Sequence, residues 1–462
     1  MNQKLRNSKG FYQRLFAIAI PIILQNGISN FVSLLDNLMV GQLGTLEMSG
    51  VSIVNQLMTV FYICVFGAAS GAGVFTAQYY GSGNQEGIRH ALRFKMIACL
   101  GLTVAGIALC LNCRDALIGA FLQGEGEAAH AAQALEFGGE YLKIMLWGMV
   151  PFALTTAYAG TMRECGKAVP PMVASICAVF INLILNYILI FGHFGAPAMG
   201  VKGAAIATVI SRYAELAIVA LWCHLHADEN PYIRGVYRSF HIPGKLFSGI
   251  SIKSAPLLVN ELLWSTGMTF LNQCYSTCGL DVVPALNISS TLGNLASVVC
   301  LAIGNSTGIV LGQMLGGDRS KEDILSASKK SLLAGVLSGV SFGLLMIAIS
   351  GVFPRLYNTT EDVRQLATKL VLLTALIWLP MRSFLNPIYF TMRAGGKTLI
   401  TLLYDSGFLW LVEVPFAFIM SRYTGISILW LFALCNGLEI IKCIIGLFML
   451  RSGTWMQRLL EK

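Results

Sequence analysis

Four acidic residues stand in long apolar stretches with no basic residue a turn away in the same stretch: Asp36, Glu261, Asp405 and Glu413. A charge at bilayer depth costs roughly 2.5–3.5 kcal/mol on insertion scales, so an unpaired one usually faces a polar cavity. There a carboxylate can bind a cation or exchange a proton, and burial, which disfavours the charged form, suits proton exchange. Asp36 closes the run Phe31-Val32-Ser33-Leu34-Leu35-Asp36-Asn37-Leu38-Met39-Val40-Gly41. An interfacial residue satisfied by backbone or water is the bland alternative for it. Asn182 and Asn186 are four apart and share a helix face. They suit interhelical hydrogen bonding or, with Thr208, oxygen ligation beside Asp36. Arg382 is the one base in an apolar stretch with no acid close by in sequence, and Glu261 is a candidate partner for it. Three other pairs, Glu140/Lys143, Arg212/Glu215 and Glu439/Lys442, are three apart and are expected to neutralise each other along one helix face.

Other chemistries find little support. Cys110-x-x-Cys113 lacks a second pair or a nearby His pair, so no metal site is expected. Most of the 12 cysteines lie in apolar runs (Cys64, Cys99, Cys177, Cys223, Cys300, Cys435, Cys443) and read as small apolar residues. The six histidines are scattered. There is no His-box, no aspartate pair of a prenyl-transfer site and no Ser/His nucleophile arrangement, so an enzyme is not expected. A passive channel would need a selectivity-filter repeat, which the chain does not show.

The elements that must position these residues are membrane helices. Of the 462 residues, 55% are hydrophobic and only 12% charged, about half the charge of a soluble chain. Twelve spans are predicted, near 14–39, 51–79, 90–111, 132–160, 167–191, 200–226, 249–277, 283–314, 324–350, 364–392, 398–421 and 426–450. The run after the N-terminus is too long for a signal peptide, so the first span is expected to remain. Counting those near a span end with the nearer side, 22 of the 32 Lys and Arg fall on one side, six on the other, and four (Lys143, Arg212, Arg382 and Lys442) lie deep inside. That bias puts both termini in the cytoplasm and accounts for the net charge of +9 without nucleic acid. The segment Arg114–Leu122 is weakly amphipathic and is expected on the outer surface.

The chain also repeats itself. Pro21 answers Pro256, and Gly73-x4-Gln78-Tyr-Tyr-Gly81 answers Gly308-x4-Gln313-Met-Leu-Gly316, both at an offset of 235. Thr161-Met162-Arg163-x-x-Gly166-Lys167 answers Thr391-Met392-Arg393-x-x-Gly396-Lys397 at 230, and Pro151 answers Pro380 at 229. Order and near-constant spacing make this a duplication. Two halves, 1–226 and 249–462, are joined by a cytoplasmic linker over 227–248. With an even number of spans each, they share one orientation. Residue reading alone therefore gives a two-half transporter without a substrate.

The assembled stretches resemble the multidrug and toxic compound extrusion (MATE) family over essentially the whole chain. The stretches that carry the likeness begin with Pro21-x14-Asp36-x4-Gly41-x-Leu43-Gly44 and Gly71-x6-Gln78-x2-Gly81. They continue with Arg163-x-x-Gly166-x3-Pro170, Asn182-x3-Asn186-x3-Ile190-Phe191-Gly192, Gly200-Val201-x-Gly203-Ala204-Ala205-Ile206-Ala207-Thr208 and Pro256-x4-Glu261. The resemblance implies an all-α integral membrane fold of twelve transmembrane helices in two pseudo-symmetric six-helix bundles, forming a V with a central cavity. It implies export of amphipathic organic compounds in exchange for protons or sodium by alternating access. No other cofactor is implied, and the setting is the multi-pass inner membrane of a prokaryote. It points to Asp36 as the coupling carboxylate, with Asn182, Asn186 and Thr208 nearby. Asn186 stands where many members carry Asp, which removes a negative charge and favours the proton. Arg382 stands where many carry an acid, so export of anionic or lipid-like molecules, lipid-linked or bile-acid-like, is the alternative. Glu261, Arg382, Asp405, Trp264, Met268, Asn272 and Asn287 are the expected lining of a substrate cavity, since aromatic faces and thioethers suit varied ligands. One chain carries both halves, so a monomer is expected.

Overall fold

The computed structural model describes residues 8–114, 116–118, 128–279, 281–317 and 319–460. Twelve long helices carry the fold. In chain order they are α1 (Ser8–Gly41), α2 (Thr45–Ser82), α3 (Gln85–Asn112), α4 (Ala128–Glu164), α5 (Val169–Phe191) and α6 (Val201–Leu225). They continue as α7 (Gly244–Ser276), α8 (Val282–Gly316), α9 (Lys321–Ile349), α10 (Glu361–Ala394), α11 (Thr398–Tyr423) and α12 (Ile428–Ser452). Eleven are long and apolar enough to cross a membrane; α7, with 33 residues, is long enough but carries more polar side chains. Each predicted span coincides with one of these helices. Most of the outer segment Arg114–Leu122 lies outside the described residues.

Local chemistry sets many of the ends. Asn84, Ser320 and Thr360 cap α3, α9 and α10 by accepting from the backbone N–H of Gly87, Asp323 and Val363. Pro170 and Pro171 fall in the first turn of α5, where the missing N–H is no loss. The duplicated Thr-Met-Arg-x-x-Gly-Lys segments end α4 and α10 in the same way. Gly166 and Gly396 take positive φ of 80° and 72°. Lys167 N–H reaches the Met162 carbonyl at 2.8 Å, and Lys397 N–H reaches the Met392 carbonyl at 3.2 Å. This is the six-to-one closure that a left-handed residue permits.

Two compact units are present. One comprises residues 24–76 and 84–254, the other 8–23, 77–83 and 255–460. In the first, α6 packs along α4 and α5, and α3 along α4. Its core contains Val54, Met58, Val65, Leu142, Met149 and Ala205. Lys95 of α3 is buried, pairs with Glu164 and donates to the Thr161 hydroxyl at 3.1 Å. The linker packs on this unit. The Arg93 guanidinium donates to the carbonyls of Gly235, Val236 and His241 at 2.9, 2.9 and 3.2 Å. Lys167 donates to the Glu229 carbonyl at 2.7 Å.

In the second unit α10 packs on α8, α9 and α12, over a core that includes Leu271, Ala285, Leu370 and Leu431. The end of α2 crosses the end of α8 here. A Cβ at Gly81 would collide with the Gln313 carbonyl, and one at Gly316 with the Gln78 carbonyl. Gln78 donates to the carbonyls of Ala394 and Gln457, both at 3.1 Å. Three π-helical turns interrupt this unit, at Thr374–Trp378 in α10 and at Leu403–Gly407 and Leu409–Glu413 in α11. α12 breaks at Leu438 and restarts at Glu439. All 12 cysteines are free thiols; six are buried, while Cys177, expected to be buried, is exposed on α5.

Candidate functional site

A polar stripe runs along α1. Gln25, Ser29, Ser33 and Asp36 recur at helical spacing on one face. α5 faces it with Ser175, Asn182 and Asn186, and α6 with Thr208, Ser211, Arg212 and Glu215. Between them lies a cavity of about 570 Å³, wholly within the first unit. The four residues expected to couple an ion therefore meet. Asn186 Nδ2 donates to Asp36 Oδ1 at 2.7 Å and to Asn182 Oδ1 at 3.2 Å, and Asn182 Nδ2 donates to Thr208 Oγ1 at 3.2 Å. Amide orientation is assigned from its partners. Turned over, Asn182 places its nitrogen 2.8 Å from Asp36 Oδ2 and its oxygen 3.2 Å from the Thr208 hydroxyl. Asp36 then accepts from both amides. Asn182 and Asn186 are buried, at 6% and 2% exposure, whereas Asp36 is partly open to the cavity.

The cavity's other end is held by charge. Arg212 donates to the Tyr62 hydroxyl at 2.9 Å and lies 4.7 and 4.9 Å from the rings of Tyr62 and Phe152. Glu215 is hydrogen-bonded to Ser175 and has Arg212 and Arg163 as electrostatic neighbours. Arg163 donates to Gln25 Oε1 at 2.9 Å. Tyr141 donates to Asn55 Oδ1 at 3.3 Å. Asn55, Tyr62 and Tyr141 are not among the expected site residues, although the adjacent amides Asn55 and Gln56 in the apolar helix α2 were a usable signal.

The second unit holds a cavity of about 360 Å³. Of the expected lining, Met268, Asn272 and Asn287 are on its wall, joined by Tyr275, Asn294, Thr374, Trp378 and Asn436. Trp264, Glu261, Arg382 and Asp405 are not. Trp264 packs against the hydrophobic core with one face near Arg382, whose guanidinium carbon is 5.8 Å from the rings of both Trp264 and Trp378. Arg382 is not unpaired, and its acid is not Glu261: Arg382 Nη2 lies 3.5 Å from Glu439 Oε1. Glu261 has Arg393 and Asp405 as its electrostatic neighbours. Asp405 Oδ1 is 3.5 Å from Lys442 Nζ, and its Oδ2 accepts from Asn260 at 3.3 Å. Of the three same-helix pairs, Glu439 and Lys442 do meet, at 3.6 Å. Glu140 turns instead to Lys202 on α6, at 2.9 Å.

A profile of the MatE family matches the chain twice, over residues 21–188 and 256–419. The two matches begin at the prolines that open the duplication. Among curated proteins, the chain is 24% identical over 452 residues to a probable multidrug resistance protein NorM of Thermotoga maritima, covering 96% of this chain and 93% of the relative. It is 23% identical to a probable multidrug resistance protein YoeA of Bacillus subtilis, covering 92% and 90%. Among solved structures, it superposes at a TM-score of 0.83 on the outward-facing conformation of a multidrug resistance MATE family transporter of the MOP superfamily, with 20% identity and 98% of each chain covered. A MOP superfamily transporter from Pyrococcus furiosus, described as having a binding pocket of reversed polarity, matches at 0.79 with 20% identity over 97% of each chain.

Proposed function

The chain belongs to the MatE family of multi-pass membrane transporters, and from that premise we propose that it exports amphipathic organic compounds across the inner membrane of a prokaryote in exchange for protons, with both termini in the cytoplasm. The observation that carries this reading is Asp36. It is the carboxylate at the meeting point of α1, α5 and α6, hydrogen-bonded to Asn186 and set in a polar cavity. Such a group can take a proton from water on one side and release it on the other when the helices move. The orientation of its neighbours supports the proton over sodium. Both amides can turn N–H groups toward Asp36. A sodium ion asks for oxygens instead, and one carboxylate here stands where two would bind it more tightly.

The cavity of the second unit supports amphipathic substrates, since it pairs aromatic and thioether surfaces with amides and hydroxyls. The anionic or lipid-like alternative rested on a free Arg382, and the Glu439 pairing counts against it. Uptake of a fluorescent cationic dye into everted vesicles, whose outer face is the cytoplasmic one, under proton and sodium gradients imposed separately, tests the proposal. Transport is expected to follow the proton gradient and to fall to background in Asp36→Asn. Sodium-driven transport, or full activity in Asp36→Asn, would overturn it.

A further inference from the structure

A second group of charges lies apart from Asp36, in the unit built from α7–α12. Arg382 of α10, Asp405 and Glu413 of α11, and Glu439 and Lys442 of α12 are electrostatic neighbours. Three are acids and two are bases. Glu413, Glu439 and Lys442 are 4%, 2% and 3% exposed. The two bases do not saturate the three acids. Glu439 Oε1 takes both Arg382 and Lys442, at 3.5 and 3.6 Å, and Lys442 also reaches Asp405. Glu439 Oε2 and Glu413 Oε1 are buried without a hydrogen-bond partner among the described residues. Fully ionised, the group would bury one uncompensated negative charge, which a low-dielectric interior opposes strongly.

The backbone is irregular at the same places. Asp405 and Glu413 lie in the two π-helical turns of α11, Glu439 is the first residue after the break in α12, and Arg382 follows the π-helical turn of α10 by four residues. Such turns are rare and recur at functional sites. The cavity wall is close by. Trp378 lines the cavity and faces Arg382, Asn436 lines it one turn before Glu439, and Tyr275 lines it with Glu413 and Glu439 as electrostatic neighbours.

We propose that Glu413, the buried acid of this group without an ion pair among the described residues, carries one exchangeable proton, making the group a second proton site behind the cavity wall. Loading takes a proton from hydronium, which is left as water, and adds it to the bare Glu413 Oε1; the reverse step returns it. Occupancy changes the charge beside Arg382 and so changes the field at Trp378.

Infrared spectroscopy of the purified full-length protein, with its glutamate carboxyls isotopically labelled to separate them from aspartate, tests this. A protonated-glutamate carbonyl band is expected near neutral pH. Glu413→Gln, whose amide resembles the protonated acid, is expected to fold as the parent does and to lose that one band. Lys442→Met, which removes a base, is expected to gain one. A Glu413→Gln protein that keeps the band, or that fails to fold, overturns the proposal. So does a parent band abolished by sodium at constant pH, since a metal cation would then be the occupant. Asp36→Asn is expected to leave the band untouched, so this site and the coupling role of Asp36 fail separately.

Discussion

Asp36 has one carboxylate and two amide neighbours, and that ratio decides which ion it can exchange. Asn186 is the position to change. Asn186→Asp puts a second acid within hydrogen-bonding distance of the first, where two carboxylates attract a cation or force one of the pair to protonate. Dye transport, proposed to follow the proton gradient in the parent, is expected to become driven by an imposed sodium gradient as well, at least about tenfold above the parent's sodium background, equivalent to about 1.4 kcal/mol. A transport rate unchanged by sodium would mean that Asn186 only positions Asp36. The meeting of Asp36, Asn182, Asn186 and Thr208 was expected from the family resemblance; spacing alone put the two amides on one face of α5 and left open whether they met Asp36. The partner of Arg382 was legible in neither. Glu439 is two helices further on, and only the packing of α10 against α12 brings the two together. Glu140 misled for a related reason: Lys143 was close in sequence, but Lys202 on the adjoining helix lay closer in space.

The predicted spans rested on apolar length alone, and several start some residues inside their helices, where local side chains set the ends. Proline at the start of α5, cap residues before α3, α9 and α10, and glycine after α4 and α10 each act within one turn. The π-helical turns were not legible, since an inserted residue leaves composition and hydropathy almost unchanged. Proline two residues beyond two of them (Pro380 and Pro415) was the only hint. Packing between helices sets a sharper test at the crossing of α2 and α8. Gly316→Ala would drive a methyl group into the Gln78 carbonyl, and Gly81→Ala one into the Gln313 carbonyl. Neither neighbour is a flexible side-chain tip that can swing away, so the helices must part. Each substitution is expected to cost about 1–3 kcal/mol, read as a lower thermal unfolding midpoint. Unchanged midpoints in both would show that the crossing is looser than its geometry.

At the scale of the molecule, the twelve spans and their duplication were legible because the bilayer fixes length and apolarity so tightly. How the linker is held was not. Its polar composition marked it as a connection, but nothing in residues 227–248 announced that Arg93 would bind three of its carbonyls. Hydrogen bonds to a charged donor are worth roughly 1.5–3 kcal/mol each, so this grip should govern how often the linker opens. Arg93→Ala is expected to raise the rate of proteolytic cleavage within the linker at least about tenfold, measured on purified protein. An unchanged rate would assign the restraint to Arg89, which donates to the Tyr232 carbonyl at 3.2 Å, and to Lys167 on Glu229. The crossing of α2 and α8 carries a different kind of information. Its two contacts are the same contact made twice: the glycine of one motif sits against the glutamine of the other, and the reverse. That is the signature of an isologous interface, in which one surface is complementary to itself. Each half of the chain holds both sides of it. The single polypeptide thus keeps, at this crossing, the handshake of a two-fold homodimer, and a half expressed alone would present the surface on which a copy of itself could dock.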